Sequence, residues 1–514
     1  MPESLKIIEN GLVVTCDALR RVGPFALLVR NDRIAEIAPH AESFRVRYPA
    51  AEVLDASGRV VVPGFVDAHY HGESFILRHW TTSVPYGDWM HHPKTRDILS
   101  HVHRELSAER LGIFYRLAYF AALRAGMTFV NEYGINNLDL PFLAAVEGFR
   151  RTDLQGMIAV QNGDQYDRAR SMSEPNLRFA VALPPEEELT TYNMQTALRT
   201  ARDLKWNLAV QAGEIRHGLD VFQRNFQSSL VQVLKEYRFL DNRTQLIHFS
   251  QIDAQEVALL QDTGTSVICC PSAAIAKQSI LPPLHVLMPA GIPLALGSDW
   301  GVPDPFTTMR GMLTVARAQG VRTLTAHDVI SMHTIGAAKA LGIDSERGSL
   351  EPGKRADLAF IDTTDFRLSC VDDPGAVDNS LMNLLLDAGS SAVTDVMIGG
   401  EFYLRSGNIM TYAEEDLRHE AADVLRSLYR VAGEPLGEAP AAQPAPARVY
   451  PLPATAAAVR ERRPSFEDGD EGFRVIRRGS STPDAPAASQ PGPKTPPASD
   501  PPKPPRRVFG EDDL

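Results

Sequence analysis

The sequence predicts an α/β fold: a TIM-like (β/α)8 barrel, a small β-sandwich built from both flanks of the barrel, and a disordered C-terminal tail. Three observations predict it. Eight strand-length apolar runs alternate with longer amphipathic segments between about Pro63 and Leu341, the texture of repeated βα units, and eight is the number that closes a barrel. Short β-branched runs with turn residues flank this region on both sides. Beyond about Glu434 the chain turns Pro- and Ala-rich, with few apolar side chains.

In chain order, KIIENGLVVT, FALLVRNDRIAEIAP and AEVLDASGRVVVPG are strand-like and separated by Asn-Gly, Asn-Asp and Ser-Gly turn signals, which predicts a small antiparallel sheet over residues 1–60. The barrel, residues 61–345, begins with VVPGFVDAHYH and continues through MTFVNEYG, LQGMIAVQ, LRFAVALP, WNLAVQAGE, TQLIHFS, TSVICCPS and IPLALGSD. RGSLEPGKRADLAFID and VTDVMIGGEFYLRSGNIM, within residues 346–411, return to short strands that complete the first sheet as a composite β-sandwich. Residues 412–433 predict a surface helix, with acidic side chains near its start and basic ones near its end, as the helix dipole favours. Residues 434–514 bury too little to offset the entropy of ordering, so disorder is expected; GFRVIRRGS and the terminal RRVFGEDDL are candidate docking motifs, against the plainer reading as solvated tail.

Composition narrows the function. The 514 residues are 44% apolar and 23% charged, ordinary for a globular protein with a large core. No leader-like or spanning apolar run is present, so a cytoplasmic location and no membrane partner are expected. A formal charge of −12 disfavours nucleic acid and leaves a small-molecule substrate, with homo-oligomerisation open. Four cysteines without a CxxC pair predict reduced, buried thiols.

Residues i and i+2 of a strand share a face, so His69 and His71 can aim at one metal ion. His101 and His103 have the same spacing inside a helical pattern, where i and i+2 diverge, and are expected to be structural or exposed. His248, Asp299 and Glu214 fall at the ends of later strands, the end of a barrel where active sites collect. A lone strand-end His or Asp is usually structural; several arriving in barrel order favour a site. Glu132, Gln161, Lys277, Gln278 and Trp300 also sit at or just past strand ends and are candidate substrate contacts, against the plainer reading as loop or packing residues.

PGFVDAHYHG, the QAGE turn, the histidine of LIHFS, the ALGSD strand and GSLEPGKRADLAFID together resemble the amidohydrolase superfamily, specifically its branch of cytosine and guanine deaminases and triazine (chloro)hydrolases. The resemblance covers most of residues 1–411. It implies a hydrolase in which water activated at one divalent metal, zinc or else iron or manganese, attacks the carbon of a C–N bond in a small aminated heterocycle. His69, His71 and Asp299 would bind the metal. Asp299 would also take the water's proton, His248 would hold the water or the developing oxyanion, and Glu214 would relay a proton to the leaving group. General chemistry agrees, since paired carboxylates can manage protons on both sides of a tetrahedral intermediate.

One position departs from the family. The turn after strand 5 ordinarily reads His-x-x-Glu with the histidine as ligand, whereas here Gln211 precedes Glu214 by three residues. A neutral amide oxygen is a poorer partner for zinc than imidazole. Gln211 is therefore a weak candidate ligand, and His217, close by in sequence but beyond the strand in a loop, a remote substitute. No lysine ends strand 4, which favours a mononuclear site over a lysine-bridged pair of metals.

Rival readings are a dechlorinating or amide-ring-opening hydrolase of the same fold, and a catalytically impaired scaffold that lost activity with its strand-5 histidine. Retention of Glu214, His248 and Asp299 argues against the scaffold. His71-Gly72-Glu73 matches half of a cytidine-deaminase zinc motif, but the PCxxC half is missing.

Overall fold

The computed structural model of the protein describes residues 3–75, 93–133, 139–161, 163–172, 174–368 and 377–432. The tail expected at 434–514, its two docking candidates and Cys370 lie outside the described residues.

The N-terminal flank supplies β1 (Leu5–Glu9), β2 (Leu12–Val14), β3 (Val22–Gly23), β4 (Ala26–Arg30), β5 (Arg33–Ala38), β6 (Glu52–Asp55) and β7 (Arg59–Pro63). The turn signals are used as their chemistry suggests: Asn10, Asn31 and Gly58 all sit at positive φ. These strands do not make the single antiparallel sheet that the sequence predicts. β1 pairs in parallel with β6, and β2 pairs in parallel with β7, because the chain leaves each strand through a long connection and returns in the same direction. The result is two sheets, β5-β4-β1-β6 and a larger one that also takes in β16 (Leu358–Asp362), β17 (Val393–Ile398), β18 (Glu401–Arg405) and β19 (Asn408–Ile409) from the far side of the barrel. β16 pairs with β7 in register from Leu358 opposite Pro63 to Asp362 opposite Arg59, which joins the two flanks. Ile8, Leu27 and Ile34 of the smaller sheet share a dry core with Val61, Phe360 and Met397 of the larger, so the two sheets pack face to face.

Between the flanks run β8 (Phe65–Tyr70), β9 (Met127–Tyr133), β10 (Gln155–Val160), β11 (Leu177–Ala182), β12 (Leu208–Ala212), β13 (Thr244–His248), β14 (Ser266–Cys269) and β15 (Leu294–Leu296). They lie in sequence order, every neighbour parallel, and a bridge between Tyr70 and Asp299 joins the last strand to the first. The eight apolar runs are these eight strands. Their inward residues are small: Ala68, Ala159, Ala180, Ala182, Ala209 and Ala295 pack with Phe129, Met157 and Ile247 along the barrel axis, while the alternate residues meet the surrounding helices. The helix Glu414–Ala432 carries Glu414, Glu415 and Asp416 in its first turn. It packs on the helices Pro93–Glu105 and Ala108–Arg124, with Arg116 paired to Glu420 and His101 Nε2 2.9 Å from Ser427 Oγ. His101 is therefore structural, as its helical spacing predicts.

Candidate active site

The end of β8 is irregular. A bulge between Asp67 and Tyr70 changes the alternation after the inward-facing Ala68, and His69 and His71 then lie with their ring centroids 4.8 Å apart. Asp67 pins this stretch to β15: its Oδ1 accepts the His69 N–H at 3.2 Å and the Ser298 N–H at 2.9 Å. Burial pushes the Asp67 carboxyl up to about 6. The bond from Asp299 N–H to His69 O, 2.7 Å, continues the same seam. Asp299 itself adopts φ 52° and His248 φ 68°, a region that non-glycine residues enter at a cost and that concentrates at functional sites.

Four side chains, those of His69, His71, His248 and Asp299, converge here beside Glu214. Asp299 Oδ1 lies 3.5 Å from His69 Nε2 and 3.4 Å from His71 Nε2. Asp299 Oδ2 lies 4.0 Å from His248 Nε2, and Glu214 Oε2 is 3.4 Å from the same nitrogen. Donor atoms of His69, His248 and Asp299 all fall within 4.8 Å of one another. Both ring nitrogens of the fully buried His69, and Nε2 of His248, have no hydrogen-bond partner among the described residues. Buried imidazoles left in that state at a convergence point fit a metal ion, which would satisfy them. Burial, followed by the neighbouring His69, holds the His71 imidazole well below its ordinary pKa, and burial also lowers that of His248; both favour the neutral form a metal needs. Burial alone would raise Asp299, but Lys277 and the histidines outweigh it and hold its carboxyl well below the usual range.

Glu214 reaches the cluster through a tight turn. Gly213, at φ +72°, donates its N–H to Glu186 Oε1 at 3.1 Å, and its carbonyl accepts from Ser250 Oγ at 2.7 Å. Gln211 is half-buried on β12 and shares by alternation the inward face of Ala209. Lys277 is brought in by the short helix Pro271–Ala276 that follows β14, and its Nζ lies 2.6 Å from both Glu214 Oε1 and Asp299 Oδ2.

The other candidates divide. Trp300 is buried with its ring 5.7 Å from that of His71, and Gln161 is buried just past the end of β10 near Tyr133, whose hydroxyl donates to Leu183 O at 2.8 Å and whose ring lies 5.0 Å from His69. Glu132 is not brought to the mouth. It points outward from β9, where its carboxylate accepts the Gly72 N–H at 2.8 Å and the Tyr119 hydroxyl at 3.1 Å, and burial raises its pKa well above the ordinary value. It braces the turn after His71 from behind. Gln278 is exposed, and His217 is exposed on the helix Arg216–Phe226, so neither reaches the cluster. Sequence reasoning passed over Asp67, Glu186 and Tyr133. Asp67 carried a usable signal, an acid inside an otherwise apolar strand; Glu186 sits in a run of three glutamates that looks like a solvated face.

A parallel barrel whose strand ends gather two histidines from its first strand, one from its sixth and an aspartate beyond its eighth defines a hydrolase of the metal-dependent barrel class. The amidohydrolase family profile matches residues 60–403, and the chain belongs to that family. It is 26% identical over 424 residues to a 5-methylthioadenosine/S-adenosylhomocysteine deaminase of Teredinibacter turnerae, covering 77% of this chain and 91% of that one. The fold is similar to that of an adenosine deaminase from Xanthomonas campestris with bound zinc, with TM-score 0.73, 23% identity, and coverage of 82% of this chain and 99% of that one. It is also similar to that of a zinc-complexed atrazine chlorohydrolase from Arthrobacter aurescens, with TM-score 0.72, 17% identity, and coverage of 82% and 100%. Among the described residues no helix is long and apolar enough to cross a membrane.

Proposed function

We propose that this amidohydrolase is a zinc-dependent deaminase that releases ammonia from the adenine ring of a nucleoside bearing a 5′ thioether. The observation that carries the reading is the convergence of His69, His71, His248 and Asp299 with partnerless imidazole nitrogens beside the carboxylate of Glu214. His69, His71 and Asp299 would hold the metal, with Gln211 on the inward face of strand 5 a further candidate. When bound, a divalent metal supplies Lewis-acid activation of water, lowering its pKa from near 16 toward about 7.

The chain's own groups do the rest. Asp299, kept ionised, accepts the proton of the attacking water as its oxygen bonds to the ring carbon. His248, neutral, hydrogen-bonds the new oxygen. Glu214 relays that proton from Asp299 to the amino group, the C–N bond breaks and ammonia leaves, and the water's second proton passes from the new oxygen to the neighbouring ring nitrogen as the carbonyl forms. Trp300 and Gln161 are placed to contact a flat heterocycle beside His71 and Tyr133. Ile275 on the helix Pro271–Ala276, Ile280 just beyond it and Val302 on the loop after β15 are exposed and give the same end of the barrel an apolar rim suited to a thioether. The deaminase relative supports the leaving group, and the zinc in both similar structures supports the metal. A small-molecule substrate and a cytoplasmic location belong to the same reading.

The test is ammonia release from 5′-methylthioadenosine, S-adenosylhomocysteine, adenosine, guanine and a chloro-triazine, each with zinc-loaded protein. The proposal expects the two thioether nucleosides to lead. Release of chloride from the triazine with no ammonia from any purine would replace it with the dechlorinating alternative.

A further inference from the structure

Lys277 is the one cationic side chain whose charged end the described structure places among the four converging residues, and it is 8% exposed. Its ammonium spans the two acids of the site. The Asp299 carboxylate is thereby divided: Oδ1 faces His69 and His71, while Oδ2 faces Lys277. Without Lys277, Glu214 and Asp299 would be two acids in a dry pocket with no fixed positive charge between them; with it, they are neutralised by the chain itself. A divalent cation drawn to Oδ1 must then share one carboxylate with an ammonium already in contact with the other oxygen. Like charges that close repel strongly where water is excluded.

Resting on the metal site proposed above, we infer that Lys277 is a resident counter-charge that stabilises the metal-free site and weakens its hold on zinc. Together with Gln211, which offers an amide where an imidazole would bind more tightly, it makes this a site of exchangeable metal. The lysine is a positioning residue for Glu214 and Asp299 in the empty state and a competitor of the metal in the loaded one.

The probe is zinc alone, titrated into chelator-stripped full-length protein in competition with a chromophoric chelator, for wild type, Lys277→Met and Lys277→Arg. Lys277→Met removes the charge and keeps the stem; it should tighten zinc by about tenfold or more, while Lys277→Arg stays within about threefold of wild type. Thermal unfolding gives the second readout. Metal-free Lys277→Met should melt below metal-free wild type, and saturating zinc should raise its midpoint by more than it raises that of wild type. Equal or weaker zinc binding by Lys277→Met overturns the inference. So does an unaltered metal-free melting point. Wild type that takes up no zinc sinks the metal site itself, whereas wild type that binds zinc as tightly as Lys277→Met sinks only the role of Lys277. If Lys277→Met fails to fold without metal, Lys277→Gln is titrated in its place, with the same two outcomes.

Discussion

Gly297 stands where the barrel closes against the strand that carries the histidines. A Cβ at this position would meet His69 N and His69 O at 2.8 Å and His69 Cβ at 2.9 Å. Carbon contacts relax near 3.5–4.0 Å, so Gly297→Ala forces the seam apart by roughly 0.5 Å or more. Nothing nearby can yield cheaply, because two of the three atoms are backbone and His69 O is bonded to the Asp299 N–H at 2.7 Å. Overpacking of this kind costs about 1–3 kcal/mol. The functional cost should be larger, since the displaced elements carry His69 and Asp299, and misplacing reacting groups by about 1 Å can cost 10²-fold in rate. The assay compares ammonia release, zinc content and thermal midpoint for wild type, Gly297→Ala and Gly389→Ala, the last at a position where a Cβ meets nothing within 4 Å. Gly297→Ala should lose turnover by about 10²-fold with a drop of a few degrees in midpoint, and Gly389→Ala should change neither. Full turnover and zinc content in Gly297→Ala would show that the β8–β15 seam does not set the site's geometry.

Three further outcomes are expected. Glu214→Gln should retain zinc and lose turnover by about 10²–10⁴-fold, because its carboxylate is assigned to proton delivery and not to the metal; loss of zinc in that variant would contradict the assignment. Gln211→His should bind zinc more tightly than wild type by chelator competition, and equal affinity would place residue 211 away from the metal. Burial raises the Glu186 carboxyl from 4.5 to about 8. A raised pKa contributes stability that is fully present below about pH 4.5 and is lost as pH climbs through 8, by at most about 5 kcal/mol for a 3.5-unit shift. Glu186→Gln lacks this dependence, so urea unfolding should show wild type losing ground to it between pH 5 and pH 8. A constant difference across that range would refute the shift.

The barrel was legible because each strand is buried on both faces and therefore appears as a continuous apolar run, and because strands that follow one another through helices have few ways to pair. His69, His71, His248, Glu214 and Asp299 were legible for the same reason: each terminates such a run, and a parallel barrel brings all these ends to one face. What escaped depends on local departures from regular geometry or on distant pairing. Alternation cannot foresee the bulge beside Asp67, nor the positive φ of His248 and Asp299. The same alternation turns Glu132 outward, although its place near a strand end suggested the mouth. Lys277 was a weak candidate because its reach depends on the short helix Pro271–Ala276 folding back over the mouth. In the flanking sheets, the parallel pairings of β1 with β6 and β2 with β7 are set by contacts across long connections, which turn residues do not encode.

The central claim is that one metal held by the His69, His71 and Asp299 cluster drives deamination. Its most direct test measures zinc per chain and ammonia released from 5′-methylthioadenosine on the same preparations: as purified, after exhaustive chelation, and after zinc is restored. The account predicts about one zinc per chain in the active protein, loss of both signals together on chelation, and recovery of both on reloading. Ammonia release that persists undiminished in protein stripped of metal would contradict it.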